Sequence, residues 1–184
     1  RHLHLPLQSG STRVLGLMNR RYTKESYLAL AEKLKREIPD LSLTTDIIVG
    51  FPGETEEEFR ELYDFLAEYR LERVGVFCYS QEEGSPAAKM PGQIPQELKE
   101  RRRAELYALQ EEIMDEHSAR QIGRTLDILC TDREDDGQCV GRSYMDSPDI
   151  DGLVYFQSET AQPGDFVPVR VDYAEGCDLY GTAR

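Results

Sequence analysis

The sequence predicts an α/β fold followed by an all-β domain: a parallel sheet covered by helices, a helical connector, and a small five-stranded barrel of the oligonucleotide-binding type. Three observations carry this expectation. As far as Tyr79, short β-rich runs alternate with amphipathic stretches, the usual signal of parallel strands joined by helices. From Pro95 to about Gln121 a charged stretch reads as one helix, with the proline in its first turn. After Gly123 the apolar residues alternate strictly, as in Leu126, Ile128, Cys130 and in Val167, Val169, Val171. Turn residues separate these runs at Asp136-Gly137, Pro148, Asp151-Gly152 and Pro163-Gly164-Asp165.

In chain order, residues 3–7 are expected as a strand, 8–12 as a polar turn and 14–18 as a short helical turn. Thr23 then caps a helix in which Tyr27, Leu28, Ala31, Leu34 and Ile38 recur at helical spacing, and Pro39 ends it. Residues 41–49 read as a buried strand. Gly50-Phe51-Pro52-Gly53 breaks it, and Thr55 with Glu58 forms a capping box for a helix whose inner face is Phe59, Leu62, Phe65, Leu66 and Tyr69. Residues 74–79 complete a series of strand, helix, strand, helix, strand with right-handed crossovers. Residues 81–94 are a loop containing glycine and proline, and the helix after it is a strut between domains. The expected domains are 1–122 and 123–184.

Charge narrows the function. The chain's 184 residues carry 22 Lys and Arg against 35 Asp and Glu, a formal net charge of −13. A pI near 4.7 argues against a general binder of phosphate backbones, because nonspecific nucleic-acid affinity comes from clustered cations. A basic macromolecule is the better partner. Residues 123–184 hold five arginines and thirteen acidic side chains, so −8 of the total sits on the barrel and −5 on the preceding 122 residues. No run approaches the ~20 apolar residues of a membrane span, and no membrane partner is expected. Cys78, Cys130, Cys139 and Cys177 show no CxxC pairing, which suits a reducing cytoplasm. A start at Arg1, running at once into strand-forming residues, is expected of a piece of something longer.

Candidate site residues cluster after the expected strands, where parallel sheets bind ligands. Gln8 and Ser9, with Ser11, could hydrogen-bond a small molecule or simply form a strand-to-helix turn. A flat apolar ligand could lie across residues 48–51, with Gly50 permitting close approach; the alternative is a rigid turn. Asp46 on an apolar strand needs a partner, for which Arg20 or a ligand hydroxyl would serve. Arg20 and Arg21 precede a helix, as a carboxylate clamp or as a solvated pair. His2 and His4 share one strand face, a metal pair or ordinary polar residues. The charged faces at 97–103 and 111–116 are assigned solubility and i,i+4 pairing alone, and His117 faces solvent. The cysteines default to buried small hydrophobes, with a reactive thiol possible only at Cys78.

Three segments in one order, His4-Leu5-Pro6-Leu7-Gln8-Ser9-Gly10-Ser11, Met18-x-Arg20-x-Tyr22-Thr23 and Thr45-Asp46-Ile47-Ile48-Val49-Gly50-Phe51-Pro52-Gly53-Glu54-Thr55, resemble the second half of a radical S-adenosylmethionine methylthiotransferase. The acidic barrel sits where that family carries its TRAM domain. One branch, MiaB-like, modifies a transfer-RNA adenosine; the other, RimO-like, methylthiolates an aspartate of a small-subunit ribosomal protein. The opening segment is closer to the first. Residues 74–80 with 82–88 resemble either branch and lean to the second; Gly141-Arg142-Ser143-Tyr144, Pro148-Asp149-Ile150-Asp151-Gly152 and Asp178-Leu179-Tyr180-Gly181 resemble the second, and the acidic barrel suits it too.

The resemblance implies that residues 1–94 are the last three strands of an open parallel (β/α) radical-SAM barrel. It implies S-adenosylmethionine and 4Fe-4S clusters as cofactors of the complete enzyme, which cleaves S-adenosylmethionine reductively and abstracts hydrogen from the aspartate β-carbon. Gln8 and Ser9 would face the ribose or methionine end. Arg20 would take the carboxylate, Ile48, Val49 and Gly50 the adenine, and Phe77 to Tyr79 the last strand's edge, with Asp46 nearby. The family's CxxxCxxC loop is missing from this sequence, so the chain alone is expected to be inactive. The implied partner is a basic ribosomal protein bound through the acidic TRAM barrel. A transfer-RNA enzyme and a non-catalytic module for a basic protein are the alternatives.

Overall fold

Three strands, β1 (His2–His4), β2 (Ser42–Val49) and β3 (Arg73–Cys78), form a sheet in the order β1-β2-β3 in a computed structural model that describes residues 1–148 and 150–184. Asp149, part of one motif quoted above, lies outside the described residues. β2 and β3 are parallel, with Asp46 opposite Gly75 and Ile48 opposite Phe77. Successive strands are neighbours, which is the winding of a β/α barrel rather than of a sheet whose strand order reverses at its middle.

The intervening helices are α1 (Thr12–Leu17), α2 (Lys24–Glu37) and α3 (Glu56–Tyr69). Their starts follow from local chemistry. Ser11, Thr23 and Thr55 each accept a backbone N–H in the first turn, and Thr23 with Ser26 and Thr55 with Glu58 complete capping boxes. Leu43, Ile47, Val49, Val74 and Val76 of the sheet are buried, as are Tyr27 and Ala31 of α2 and Phe59, Leu62, Phe65 and Leu66 of α3. The alternate residues Asp46, Ile48 and Gly75 are half-buried, and Phe77 is 55% exposed. One face of the sheet is therefore covered and the other is open.

β1 is shorter than the strand expected over residues 3–7, and Pro6 explains why. It has no N–H for the ladder. Beyond it the Leu7 N–H goes to the Thr45 hydroxyl at 2.8 Å, and the Leu5, Pro6 and Leu7 carbonyls accept the Tyr27 and Tyr22 hydroxyls. Pairing resumes at Gln8, which bridges to Ile47 in parallel.

The loop after β3 contains a short 3₁₀ turn, Ala87–Lys89, and α4 spans Gln96–Ala119. The charged face at 97–103 is not simply solvated as expected: Lys99 and Arg102 are buried, on the same stripe as Leu106, Leu109 and Ile113. The helical period was hidden because two positions of the inward stripe carry charge.

The chain divides into two compact units, Leu3–Gln110 and Glu111–Arg184 with Arg1–His2. In the second, β4 (Thr125–Arg133), β5 (Gln138–Arg142), β6 (Val154–Gln157), β7 (Phe166–Glu175) and β8 (Asp178–Ala183) close a barrel in the order β4-β5-β6-β8-β7, with β7 paired back to β4. Among the described residues of this barrel only β6 and β8 pair in parallel. Irregularities at Cys130/Asp132 and Val171/Tyr173 bend the two longest strands, and closure leaves no open edge. Leu126, Ile128, Val154, Phe156, Val169, Val171 and Leu179 fill the interior with Cys130 and Cys139. Those two cysteines are small core hydrophobes as expected, whereas Cys78 and Cys177 are only half-buried. Among the described residues, no helix is long and apolar enough to cross a membrane.

Candidate functional site

A cavity of about 610 Å³ opens where the three parallel strands end: Gln8 follows β1, Ile48 stands near the end of β2, and Cys78, Tyr79 and Ser80 close β3. This is the end at which open α/β sheets and barrels bind ligands. Its apolar wall joins Ile48 and Phe77 to the cluster of Phe51, Tyr79, Met18, Ala87 and Met90. The Phe51 and Tyr79 rings meet edge to face at 5.3 Å. Gln8, Asn19, Arg20, Asp46, Ser80 and Ser85 supply polar groups.

Of the residues singled out from sequence, Gln8, Arg20, Asp46, Ile48, Phe77 and Tyr79 line this cavity; Ser9, Val49 and Gly50 do not. Gln8 is held with φ at 72°, although it is not glycine. Such a backbone costs about 1 kcal/mol. Two ladder bonds fix it there: its N–H donates to the Asp46 carbonyl at 2.8 Å, and its carbonyl accepts the Ile48 N–H at 2.9 Å. Arg20 is exposed at the rim. Ser9 is buried, with its hydroxyl accepting the Ser11 N–H. The Val49 side chain points into the helix-covered core, and its carbonyl accepts the Tyr79 N–H at 2.9 Å. Gly50, at φ 73°, gives its N–H to Glu54 Oε1 at 3.0 Å.

Within the chain the partner of Asp46 is His4 rather than the expected Arg20. His4 reaches it, Nε2 to Oδ2 at 3.2 Å, while His4 Nδ1 lies 2.9 Å from the Thr44 hydroxyl. The carboxylate is also less buried than an apolar strand suggests, because its face of the sheet is the open one; its side chain is 36% exposed. Gly75 makes room for it across the ladder, since a Cβ there would fall 2.7 Å from Asp46 Oδ1.

Sequence reasoning missed the support behind the cavity. Lys99 Nζ donates to the Tyr79 carbonyl at 2.8 Å, and Arg102 Nη1 donates to Glu54 Oε1 at 2.6 Å. The Arg102 and Glu54 side chains are 3% and 2% exposed, and burial pushes the Glu54 carboxyl above its usual range, opposed by the Gly50 N–H and Arg102. The available signal was helical spacing of Lys99 and Arg102 with Leu106 and Leu109. A second support lies under α1: Arg13 grips Glu58 from Nε at 2.7 Å and Nη2 at 2.6 Å, and the Ser11 hydroxyl adds a bond at 2.9 Å. Chiefly through the Arg13 hydrogen bonds, the Glu58 carboxyl is lowered to about 2.

The barrel carries its own concavity, about 1110 Å³, beside the β5 and β6 turns. Asp135, Asp136, Glu159 and Asp165 border it, and Phe166 lies open at 74% exposure. Arg133 belongs to the wall, because its guanidinium is bonded to the Ala161 and Glu159 carbonyls at 2.6 and 3.0 Å.

Metal ligands fit less well. Among the described residues no three His, Cys, Asp or Glu side chains come together as a metal site, and Cys130 and Cys139 lie in the barrel core. The described residues therefore offer no ligand set for an iron-sulfur cluster. A nucleoside fits better, since the strand-end cavity is of ordinary small-molecule size and joins a broad apolar wall to a few polar groups.

Residues 1–66 match the Radical SAM superfamily, and residues 122–183 match the TRAM domain. The chain is 47% identical to the Ribosomal protein uS12 methylthiotransferase RimO of Pelotomaculum thermopropionicum, over 98% of its own length and 41% of that protein's. It is 44% identical to the RimO protein of Thermus thermophilus, over 98% of this chain and 42% of the relative, and 44% identical to that of Klebsiella pneumoniae, over 98% and 41%. The chain thus spans about two fifths of the length of the curated relatives it matches. With identity sustained along nearly all of the chain, and radical SAM sequence and a TRAM domain in that order, the chain belongs to the radical S-adenosylmethionine methylthiotransferase family as a homologue of RimO.

Proposed function

We propose that this chain is the part of a RimO-type enzyme that completes the S-adenosylmethionine pocket and presents an acidic TRAM barrel to a basic ribosomal protein, uS12, in the cytoplasm. The observation that carries this reading is the cavity at the carboxyl ends of three parallel strands, with Gln8, Arg20 and Asp46 set against an apolar wall. Ile48, Phe51 and Phe77 would hold the adenine by apolar contact. Asp46, oriented by His4, would accept from the ribose hydroxyls. Gln8, held in its unusual backbone by the ladder, would bond the ribose or methionine end, and Arg20 at the rim would clamp the carboxylate. Ser9, Val49 and Gly50 act behind these groups. When bound, S-adenosylmethionine supplies the methyl group and the adenosyl group of the family's chemistry.

The iron-sulfur clusters of the complete enzyme take their ligands from elsewhere, and the chain alone is inactive. Anaerobic reconstitution with iron and sulfide checks this, and a stable stoichiometric cluster on the chain would overturn it. Domains 1–122 and 123–184 divide the work, cofactor to the first and partner to the second. The −8 of the barrel sequence favours a Lys- and Arg-rich protein over RNA. Mixed at moderate salt with uS12 and with transfer RNA, the chain should retain the protein and not the RNA. Retention of transfer RNA alone would favour the transfer-RNA branch.

A further inference from the structure

The geometry points to Lys99 and Arg102 of α4 as positioning residues that hold two walls of the strand-end cavity, an inference that rests on that cavity being the cofactor pocket. Neither side chain lines the cavity. Lys99 is buried; its Nζ donates to the Tyr79 carbonyl at 2.8 Å and stands 5.3 Å from the centre of the Tyr79 ring. Its methylene stem lies where Gly50 would carry a Cβ, so Lys99 touches the end of β3 and the turn after β2 together. Arg102, one turn along, donates to Glu54 Oε1 at 2.6 Å, and that same oxygen accepts the Gly50 N–H at 3.0 Å. A second arm, Nη2, reaches Glu56 Oε2 at 3.0 Å.

A stripe needed only to fill space would be apolar, because buried charges cost desolvation that hydrophobic residues of similar volume avoid. What the charges add here is fixed backbone: the Tyr79 carbonyl directly, and the Gly50 N–H through Glu54. Tyr79 shows the need for such support. Its hydroxyl is buried without a hydrogen-bond partner, so the ring is placed by Phe51, Lys99 and the carbonyl rather than by its own polar atom. Phe51 and Tyr79, two of the three rings of the apolar wall, therefore depend on one helical turn of α4.

The test compares the 184-residue chain with its Lys99→Met and Arg102→Lys variants, by amide hydrogen exchange and by calorimetric titration with S-adenosylmethionine. Lys99→Met keeps the stem and removes the ammonium; Arg102→Lys keeps a charge beside Glu54 and so avoids stranding a buried carboxylate. In both variants, exchange at Gly50, Phe51, Gly53, Glu54, Tyr79 and Ser80 should quicken about tenfold while amides of α2 and of the barrel stay unchanged. Affinity for S-adenosylmethionine should fall about tenfold with it, because small displacements of binding groups are felt strongly. Unchanged exchange at those residues would overturn the inference, as would uniform acceleration throughout the unit, which marks a purely structural role. Faster local exchange with unaltered affinity would overturn it too. A wild-type chain that takes up no S-adenosylmethionine sinks the pocket reading, and the exchange pattern then still decides whether α4 holds these walls.

Discussion

Glu58 ties three pieces of chain together: it closes the capping box of α3 through the Thr55 N–H and takes both arms of Arg13 and the Ser11 hydroxyl. Its carboxyl is lowered to about 2 from 4.5, first by the Arg13 hydrogen bonds, so the folded state favours the ionised form. That contribution is complete above the unfolded value near 4.5 and is lost as pH falls from there through about 2. Glu58→Gln should therefore destabilise the chain at neutral pH by about 1–2 kcal/mol, discounted because Arg13 is half in solvent. In urea unfolding, the gap from wild type should shrink steadily as the pH drops from 5 toward about 2; a gap independent of pH would show that capping geometry rather than charge matters. Tyr79→Phe removes a hydroxyl that has no partner. The variant should be at least as stable as wild type, since an unpaired buried hydroxyl costs about 1–3 kcal/mol; a clear loss in Cm would reveal a hidden partner. At this scale the sequence was legible where chemistry is local. Gln8, Asp46 and Ile48 followed from strand ends, but His4 as the partner of Asp46 spans some forty residues, a contact that only the sheet register creates.

β1 and α4 show what decides an element. Pro6 interrupts the β1 ladder, and Tyr22 and Tyr27 satisfy the carbonyls it leaves behind. Tyr27→Phe strips the Leu5 carbonyl of its donor and should cost about 1 kcal/mol, measured as a fall in urea midpoint; no change would mean that water replaces the phenol. α2 and α3 were legible to within a residue or two, because the capping residues and the apolar period agree. α4 was legible as a helix but not as a packed one. Its inner stripe mixes Lys99, Arg102 and Gln110 with Leu106 and Ile113, and what makes those polar groups tolerable is a set of partners far along the chain: the Tyr79 carbonyl, Glu54 and the Leu71 and Glu72 carbonyls. Apolar periodicity cannot register a stripe whose burial depends on such bonds.

For the molecule as a whole, the two parts of the sequence follow different periods and carry different charge. The parallel sheet keeps one face open with its cavity at the strand ends, and the five-strand barrel closes on itself and carries most of the net negative charge. The order of folds was legible because the switch from helical to alternating pattern at Gly123 is abrupt, and the motif order pointed to a family that the RimO relatives bear out. Less legible was which side chains share the cavity, since Ser9, Val49 and Gly50 neighbour its lining in sequence yet face the other way or are bonded behind it. The most direct measurement is an amide-resolved NMR titration of the chain with S-adenosylmethionine. The predicted result is shift changes at Gln8, Arg20, Asp46, Ile48, Phe77 and Tyr79, with the barrel strands from Thr125 to Ala183 unmoved. Saturable binding that leaves those six residues unperturbed, or that shifts the barrel instead, would contradict the assignment of this cavity as the cofactor pocket.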